Sequence, residues 1–401
     1  MSSVTADNKD TQSTPVFETI PDGRLAIIPL KSTVDIGQKV NDYLVKWRSG
    51  RVKEGLVSGN NGYARNSYII KADTPRFGSG EAKGQITESI RGDDLYLLVD
   101  VCNYSITYKV GGFSNSMSPD DHFQDLKRVI SAAGRKAHRI NVIMPYLYEG
   151  RQMKRSGRES LDCANALQEL SELGVENIIT FDAHDPRVMN AVPLAGFETV
   201  SPTYQFIKNI LRCESDLIID NGHMMAVSPD EGGMSRAIYL ANVLGIDMGM
   251  FYKRRDYTTL IDGTNPIVAH EFLGTEVSGK DVIIIDDMIS SGDAVLETAA
   301  LLKRKNANRI FICSTFGIFT NGLSRFDDAY RRGLFNHLIT TNLVYQSDEL
   351  KSRPYYITCD MSKYIALIID TLNHDASLSG LLNPVDRINK VLKKYASHQK
   401  I

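Results

Sequence analysis

Apolar positions in this chain fall into short β-rich runs, separated by longer stretches with an amphipathic pattern. The runs at Leu95–Val101, Ile140–Met144, Asn177–Phe181, Asp216–Ile219, Val282–Ile285 and Arg309–Ser314 predict strands. The stretches at Phe123–Ala133, Leu161–Leu173, Tyr204–Leu211, Met234–Leu244 and Ala294–Lys305 predict helices. Strand and helix in alternation imply βαβ units with parallel sheets, an α/β fold class. The run of valine and three isoleucines from Val282 suits a strand buried on both faces. Two such blocks follow one another, at residues 21–200 and 201–383. Residues 1–20 are polar and read as a mobile tail. The Gly, Asn, Ser and Lys-rich stretch 50–84 reads as loops or a hairpin inserted in the first block, and 384–401 as a basic C-terminal helix.

A length of 401 residues agrees with two domains, and 42% hydrophobic with 23% charged residues is ordinary for a protein with a substantial core. The formal net charge of -2 gives no field for a nucleic acid, so phosphate binding has to come from a local site. Cys102, Cys163, Cys213, Cys313 and Cys359 are odd in number and widely spaced, with no CxxC pair. That argues for a reduced, cytoplasmic protein without a disulfide framework or zinc site. The polar N-terminus lacks the apolar stretch of a signal peptide, and no apolar run reaches the roughly 20 residues of a membrane span.

The clearest chemical signal runs from Val282 to Ala294. A buried strand leads into two acids, Asp286 and Asp287, then a small-residue loop with Ser290, Ser291 and Gly292, then a helix. In open parallel sheets ligands bind beyond the carboxyl ends of the strands, and the free N–H groups and positive dipole end of the following helix attract phosphate. The serines can donate hydroxyls to such a phosphate, and the two acids can accept hydrogen bonds from sugar hydroxyls. The bland alternative is a strand-turn-helix whose aspartates cap the turn. A near match to a nucleotide-binding P-loop, Gly274 to Asp281, is a decoy: it lacks the final Ser or Thr and precedes a strand instead of following one.

The Val282–Ala294 motif resembles the sugar-phosphate loop of type I phosphoribosyltransferases and of ribose-phosphate pyrophosphokinases. Further segments resemble the second family, in its order: Phe77-Gly-Ser-Gly-Glu81 with Glu88-Ser-Ile-Arg-Gly92, Met144 through Arg151 and Gln152, Thr180-Phe-Asp-Ala-His184, Ala226-Val-Ser-Pro-Asp230-Glu-Gly-Gly233, and Tyr252-Lys253-Arg-Arg255. The resemblance implies two tandem phosphoribosyltransferase-like domains. It also implies transfer of a pyrophosphoryl group from MgATP to ribose 5-phosphate, giving 5-phosphoribosyl 1-pyrophosphate for nucleotide biosynthesis. By the same resemblance Lys253 and Arg255 are catalytic, in a mobile loop that closes over the substrates. Phe77, Glu81, Arg151, Gln152 and Arg158 bind ATP. Asp286, Asp287, Ser290, Ser291 and Gly292 bind ribose 5-phosphate, and His184 and Asp230 hold Mg²⁺. Phe77 and Glu81 would reach a neighbouring subunit, so the resemblance implies a homo-oligomer of the kind built from dimers into hexamers.

This chain departs from the family pattern where the phosphate should sit. Ser290 stands for an acid, Ser291 for a threonine, Asp293 for a glycine and Ala294 for the final threonine; Ser79 and Met153 each replace an aspartate. A carboxylate aimed at a phosphate dianion is costly, so Asp293 is expected to point away or to bind through a cation. Two other functions remain open: a non-catalytic regulatory paralogue, and a phosphoribosyltransferase.

Overall fold

The computed structural model describes residues 17, 19–57, 62–255 and 267–397, with the backbone alone at 253–255 and 267–270. Two compact units emerge, and each has its own sheet. The first comprises the described residues up to Ser201 together with Asn342–Tyr345 and Asp360–Asn383. The second comprises the described residues of 202–341, 346–359 and 384 onward. The chain therefore passes from one unit to the other more than once.

In the first unit, β1 (Arg24–Pro29), β2 (Asp93–Leu98), β3 (Arg139–Ile143), β4 (Asn177–Phe181) and β5 (Gly196–Val200) lie side by side in chain order, all parallel. Alternate residues serve the two faces. Ala26, Ile28, Leu95 and Leu97 join one core with Leu126 and Val129 of α2 (Pro119–Ala133) and Leu167 and Leu170 of α3 (Asp162–Glu172). A capping box at Ser118 and Asp121 and a left-handed Gly134 bound α2. On β1 also packs α1 (Val34–Lys53), which lies against a helix from far along the chain, Ser362–Asn373.

The second unit holds β6 (Met224–Ser228), β7 (Asp247–Arg255), β8 (Ile267–Leu273), β9 (Asp281–Ile289), β10 (Ile310–Gly317), β11 (His337–Thr341) and β12 (Tyr356–Cys359). The strand order is β8-β7-β6-β9-β10-β11-β12, parallel except for the antiparallel pair β7 and β8. Val282 and Ile284 face one core and Ile283 and Ile285 the other, so β9 is buried on both faces, as its apolar run predicts. The first core is closed by α6 (Asp293–Arg304) and α7 (Ser324–Arg331). The second is closed by α4 (Thr203–Cys213), α5 (Met234–Leu244) and the helix Val385–Ala396. In chain order the two late helices are α8 (Ser362–Asn373) and α9 (Val385–Ala396). No described helix is long and apolar enough to cross a membrane.

Two sequence expectations need correction. Asp216–Ile219 is not a strand: Leu217 is buried, but its N–H goes to the Tyr395 hydroxyl at 2.8 Å instead of to a sheet neighbour. The strand predicted over Val282–Ile285 continues to Ile289, because Met288 and Ile289 pair with Phe316 and Gly317 of β10. Asp286 and Asp287 thus lie within the strand and not just after it.

Candidate functional site

Strand order reverses in the second sheet between β6 and β9. From β6 the chain turns one way, through α5 to β7 and β8, and then returns to the other side of β6 as β9. Loops that leave the carboxyl ends of two such strands diverge and open a crevice. Here they are the Ser228–Gly233 loop after β6 and the Ser290–Gly292 loop after β9.

The first loop is a tight turn built around Asp230, whose Oδ1 accepts the N–H of Gly232 at 2.9 Å and of Gly233 at 3.3 Å. Gly233 is needed for close approach: a Cβ there would stand 2.7 Å from Ser228 Oγ and 3.4 Å from the Ile285 carbonyl. Asp230 is therefore brought up to the carboxyl-terminal half of β9, where Asp286 and Asp287 are. Burial, then the charges of Asp287 and Asp230, hold the Asp286 carboxyl well above the usual carboxylate range. Arg236 from the first turn of α5 reaches Asp287 at 3.5 Å. Three acids on or just after adjacent strands are poised to meet hydroxyl donors, which would relieve their mutual repulsion.

The second loop runs into α6. Gly292, with φ +85°, turns the chain, and a Cβ there would meet Phe326 Cζ at 2.3 Å. Ser290 Oγ lies 3.4 Å from Thr320 Oγ1, and Ser291 Oγ donates to Asp293 Oδ2 at 2.7 Å. Asp293 is ion-paired with Arg325 of α7, so its charge is offset within the protein. Local sequence reasoning missed Arg236 and Arg325. The only signal was a basic residue early in each of two helices; what pairs them with Asp287 and Asp293 is the packing of α5 and α7.

The other candidates are distributed between the units. In the first, His184 is exposed and follows the carboxyl end of β4, next to Asp182 at φ +41°. Its neighbour Asp185 is held down to about 2 chiefly by its hydrogen bond with Arg187. Phe77 and Glu81 close a hairpin turn: Phe77 N–H donates to the Glu81 carbonyl at 2.7 Å, and Phe77 is 52% exposed. Arg151 and Arg158 are exposed in the loop between β3 and α3, while the Gln152 side chain donates to the Ser160 carbonyl at 2.8 Å. In the second unit, Lys253 and Arg255 belong to the end of β7. Their backbones pair with His270 and Ile267 of β8 across a bulge at Arg254 and Arg255. The expected loop thus begins as strand, and residues 256–266 lie outside the described residues. The P-loop decoy is a turn before β9, with Lys280 buried against Asp247 at 3.4 Å. Among the described residues, no group of three or more His, Cys, Asp or Glu is arranged to hold a metal unaided.

Comparison with known proteins agrees with this architecture. The model of the N-terminal domain of ribose phosphate pyrophosphokinase matches residues 25–174, and that of the phosphoribosyl transferase domain matches 202–342. The chain belongs to the ribose-phosphate pyrophosphokinase family. A ribose-phosphate pyrophosphokinase from Vibrio parahaemolyticus is 28% identical over 317 residues, 78% of this chain and 91% of that protein. One from Gloeobacter violaceus is 28% identical over 364 residues, 88% of this chain and 98% of that protein. The crystal structure of phosphoribosylpyrophosphate synthetase from Mycobacterium smegmatis superposes with a TM-score of 0.68 at 19% identity, covering 88% of this chain and all of the other. The two α/β units are thus the tandem domains of this family.

Proposed function

We propose that the protein is a ribose-phosphate diphosphokinase, which moves the pyrophosphoryl group of ATP onto the C1 hydroxyl of ribose 5-phosphate. The observation that carries this reading is the meeting of Asp230 with Asp286 and Asp287 at the strand-order reversal, beside a serine- and glycine-bearing loop that opens a helix. Asp286 and Asp287 accept the ribose hydroxyls. Ser290, Ser291, Gly292 and the first N–H groups of α6 take the 5-phosphate.

The C1 oxygen forms a bond to the β-phosphorus, the bond from that phosphorus to the α,β-bridging oxygen breaks, AMP leaves and the C1 hydroxyl proton is released. Such transfer depends on position and charge more than on covalent help from the protein. Lys253 and Arg255 supply positive charge to the group in transit. Asp230, in the second unit, and His184, in the first, are the residues that would each offer a donor to Mg²⁺, an ion that also takes oxygens from nucleotide and water. The ion supplies charge neutralisation on the phosphates. ATP is bound through Phe77, Glu81, Arg151, Gln152 and Arg158. Exposure of Phe77 fits a homo-oligomer in which this turn meets a second subunit, and five free cysteines fit a cytoplasmic setting.

AMP release from the purified chain with MgATP, with and without ribose 5-phosphate, tests this directly. The expected result is sugar-dependent AMP together with the pyrophosphorylated sugar by mass. Lys253→Ala should lower kcat by about 100-fold or more with unchanged melting temperature, the scale of losing one preorganised charge at the transition state. Asp293 and Ala294 favour a second reading, a regulatory paralogue: nucleotide and sugar phosphate would bind, but no AMP would form at any Mg²⁺ or phosphate concentration.

A further inference from the structure

The loop read above as the sugar-phosphate site carries an acid where a dianion has to sit. Asp293 is the first residue of α6, so its backbone N–H is among the helix donors that favour an anion. Its side chain works the other way. Oδ2 accepts the Ser291 hydroxyl at 2.7 Å, a donor the phosphate would use, and the carboxylate charge repels a phosphate. Ala294 has no hydroxyl to compensate. Against this, Arg325 of α7 ion-pairs through Nη1 with the other oxygen, Oδ1. The two side chains are 52% and 58% exposed. A pair that wet contributes little to folding. Beside it opens a cavity of ≈ 550 Å³ lined by Asp293, Ser324, Arg325, Asp328 and Arg332, which gives the pair room to lean away from the loop.

We propose that Arg325 is a positioning residue for the sugar phosphate: it neutralises Asp293 and anchors its carboxylate toward α7, so that on binding the Ser291 hydroxyl and the start of α6 can turn to the 5-phosphate. This rests on the reading of that loop as the ribose 5-phosphate site. Arg325 acts through Asp293, so its importance exists only while Asp293 is charged. A relative with glycine in place of Asp293 needs no such cation.

The test is a mutant cycle on the full chain, read by steady-state kinetics and by calorimetric binding of ribose 5-phosphate. Arg325→Ala should raise KM and Kd for ribose 5-phosphate about tenfold or more, 1.4 kcal/mol or more, and leave KM for ATP unchanged. Arg325→Lys, which keeps the charge, should retain most of the affinity. In the double variant Arg325→Ala with Asp293→Asn, both constants should return close to wild type. An unchanged KM in Arg325→Ala overturns the proposal. So does a loss that Asp293→Asn fails to reverse, since the guanidinium would then touch the phosphate itself or merely hold α7. Wild-type protein that neither binds nor turns over ribose 5-phosphate would overturn the reading of the site, and this role with it.

Discussion

At Gly292 two independent constraints coincide: a left-handed backbone, φ +85°, and the Phe326 ring 2.3 Å from where a Cβ would be. Alanine would have to move a ring that is itself fully buried and packed on Phe319. Gly292→Ala is therefore expected to cost about 2–4 kcal/mol through strain and overpacking. It should also weaken sugar-phosphate binding by displacing the start of α6. Chemical denaturation and binding measured on the same preparation check this; a variant with wild-type values for both would show that the loop adjusts freely. The acids nearby follow a different logic. Burial, and then the charges of Asp287 and Asp230, raise the proton affinity of Asp286, so this corner of the fold is arranged for a ligand at some expense to stability.

Between α1 and α8, within the first unit, lies a buried polar cluster. Arg48 and Arg51, each 1% exposed, both pair with Asp370 at 0%. Tyr63 and His374 complete it, with the Tyr63 hydroxyl 3.1 Å from His374 Nε2. Burial pushes His374 down to about 4, and the attraction of Asp370 only partly offsets it. The unfolded chain takes up this proton near 6.5 and the folded chain only near 4. The contribution is thus intact above 6.5 and is lost as pH falls toward 4, by at most about 1.4 kcal/mol per unit. Asp100, raised to about 7 by burial, titrates in the same window with the opposite sign, so the informative quantity is the difference between variants. Urea midpoints from pH 7.5 to 5 should fall more steeply for the wild type than for His374→Gln; parallel profiles would refute the assignment. Asp370→Asn should destabilise by about 3–5 kcal/mol, because two buried guanidinium groups lose their counter-charge. The same cluster explains why α1 escaped a reading by hydrophobic periodicity. Its buried stripe, Gly37, Val40, Asn41, Leu44, Trp47, Arg48 and Arg51, is helical in spacing but polar at three positions. The helix α8 escaped for the converse reason: Tyr364, Ile365, Ala366, Ile368 and Ile369 are all buried, so it shows no polar face.

Across the whole molecule, the two units are not consecutive halves. Residues 360–383 complete the first unit and the chain from 384 completes the second. The basic C-terminal helix α9 buries Ile388 and Val391 in the core of the second unit, and Tyr395 donates its hydroxyl to the Glu214 carbonyl at 2.8 Å. Truncation after Asn383 should therefore destabilise the second unit by about 3–6 kcal/mol, the value of two fully buried branched side chains. A thermal or urea melt would show it as a lowered transition. A truncated chain that melts like the full one would mean that α9 is dispensable.

Some of this protein could be settled by neighbours in the sequence alone. Runs such as Val282–Ile285 specify strands buried on both faces, and the order strand, acids, small loop, helix specifies a ligand-binding strand end, because each depends on residues a few positions apart. Other features depended on topology. Asp230 meets Asp286 only because β9 returns beside β6, Arg325 meets Asp293 only because α7 packs by α6, and Asp370 meets Arg48 only because α8 goes back to the first unit. The strand expected at Asp216–Ile219 was lost for the same reason: a distant Tyr395 hydroxyl bonds the Leu217 N–H that a sheet partner would have used. Local pattern fixes the elements and the chemistry they can carry. Which charges oppose one another, and which backbone groups find a sheet, is decided when elements far apart in the chain are brought into contact.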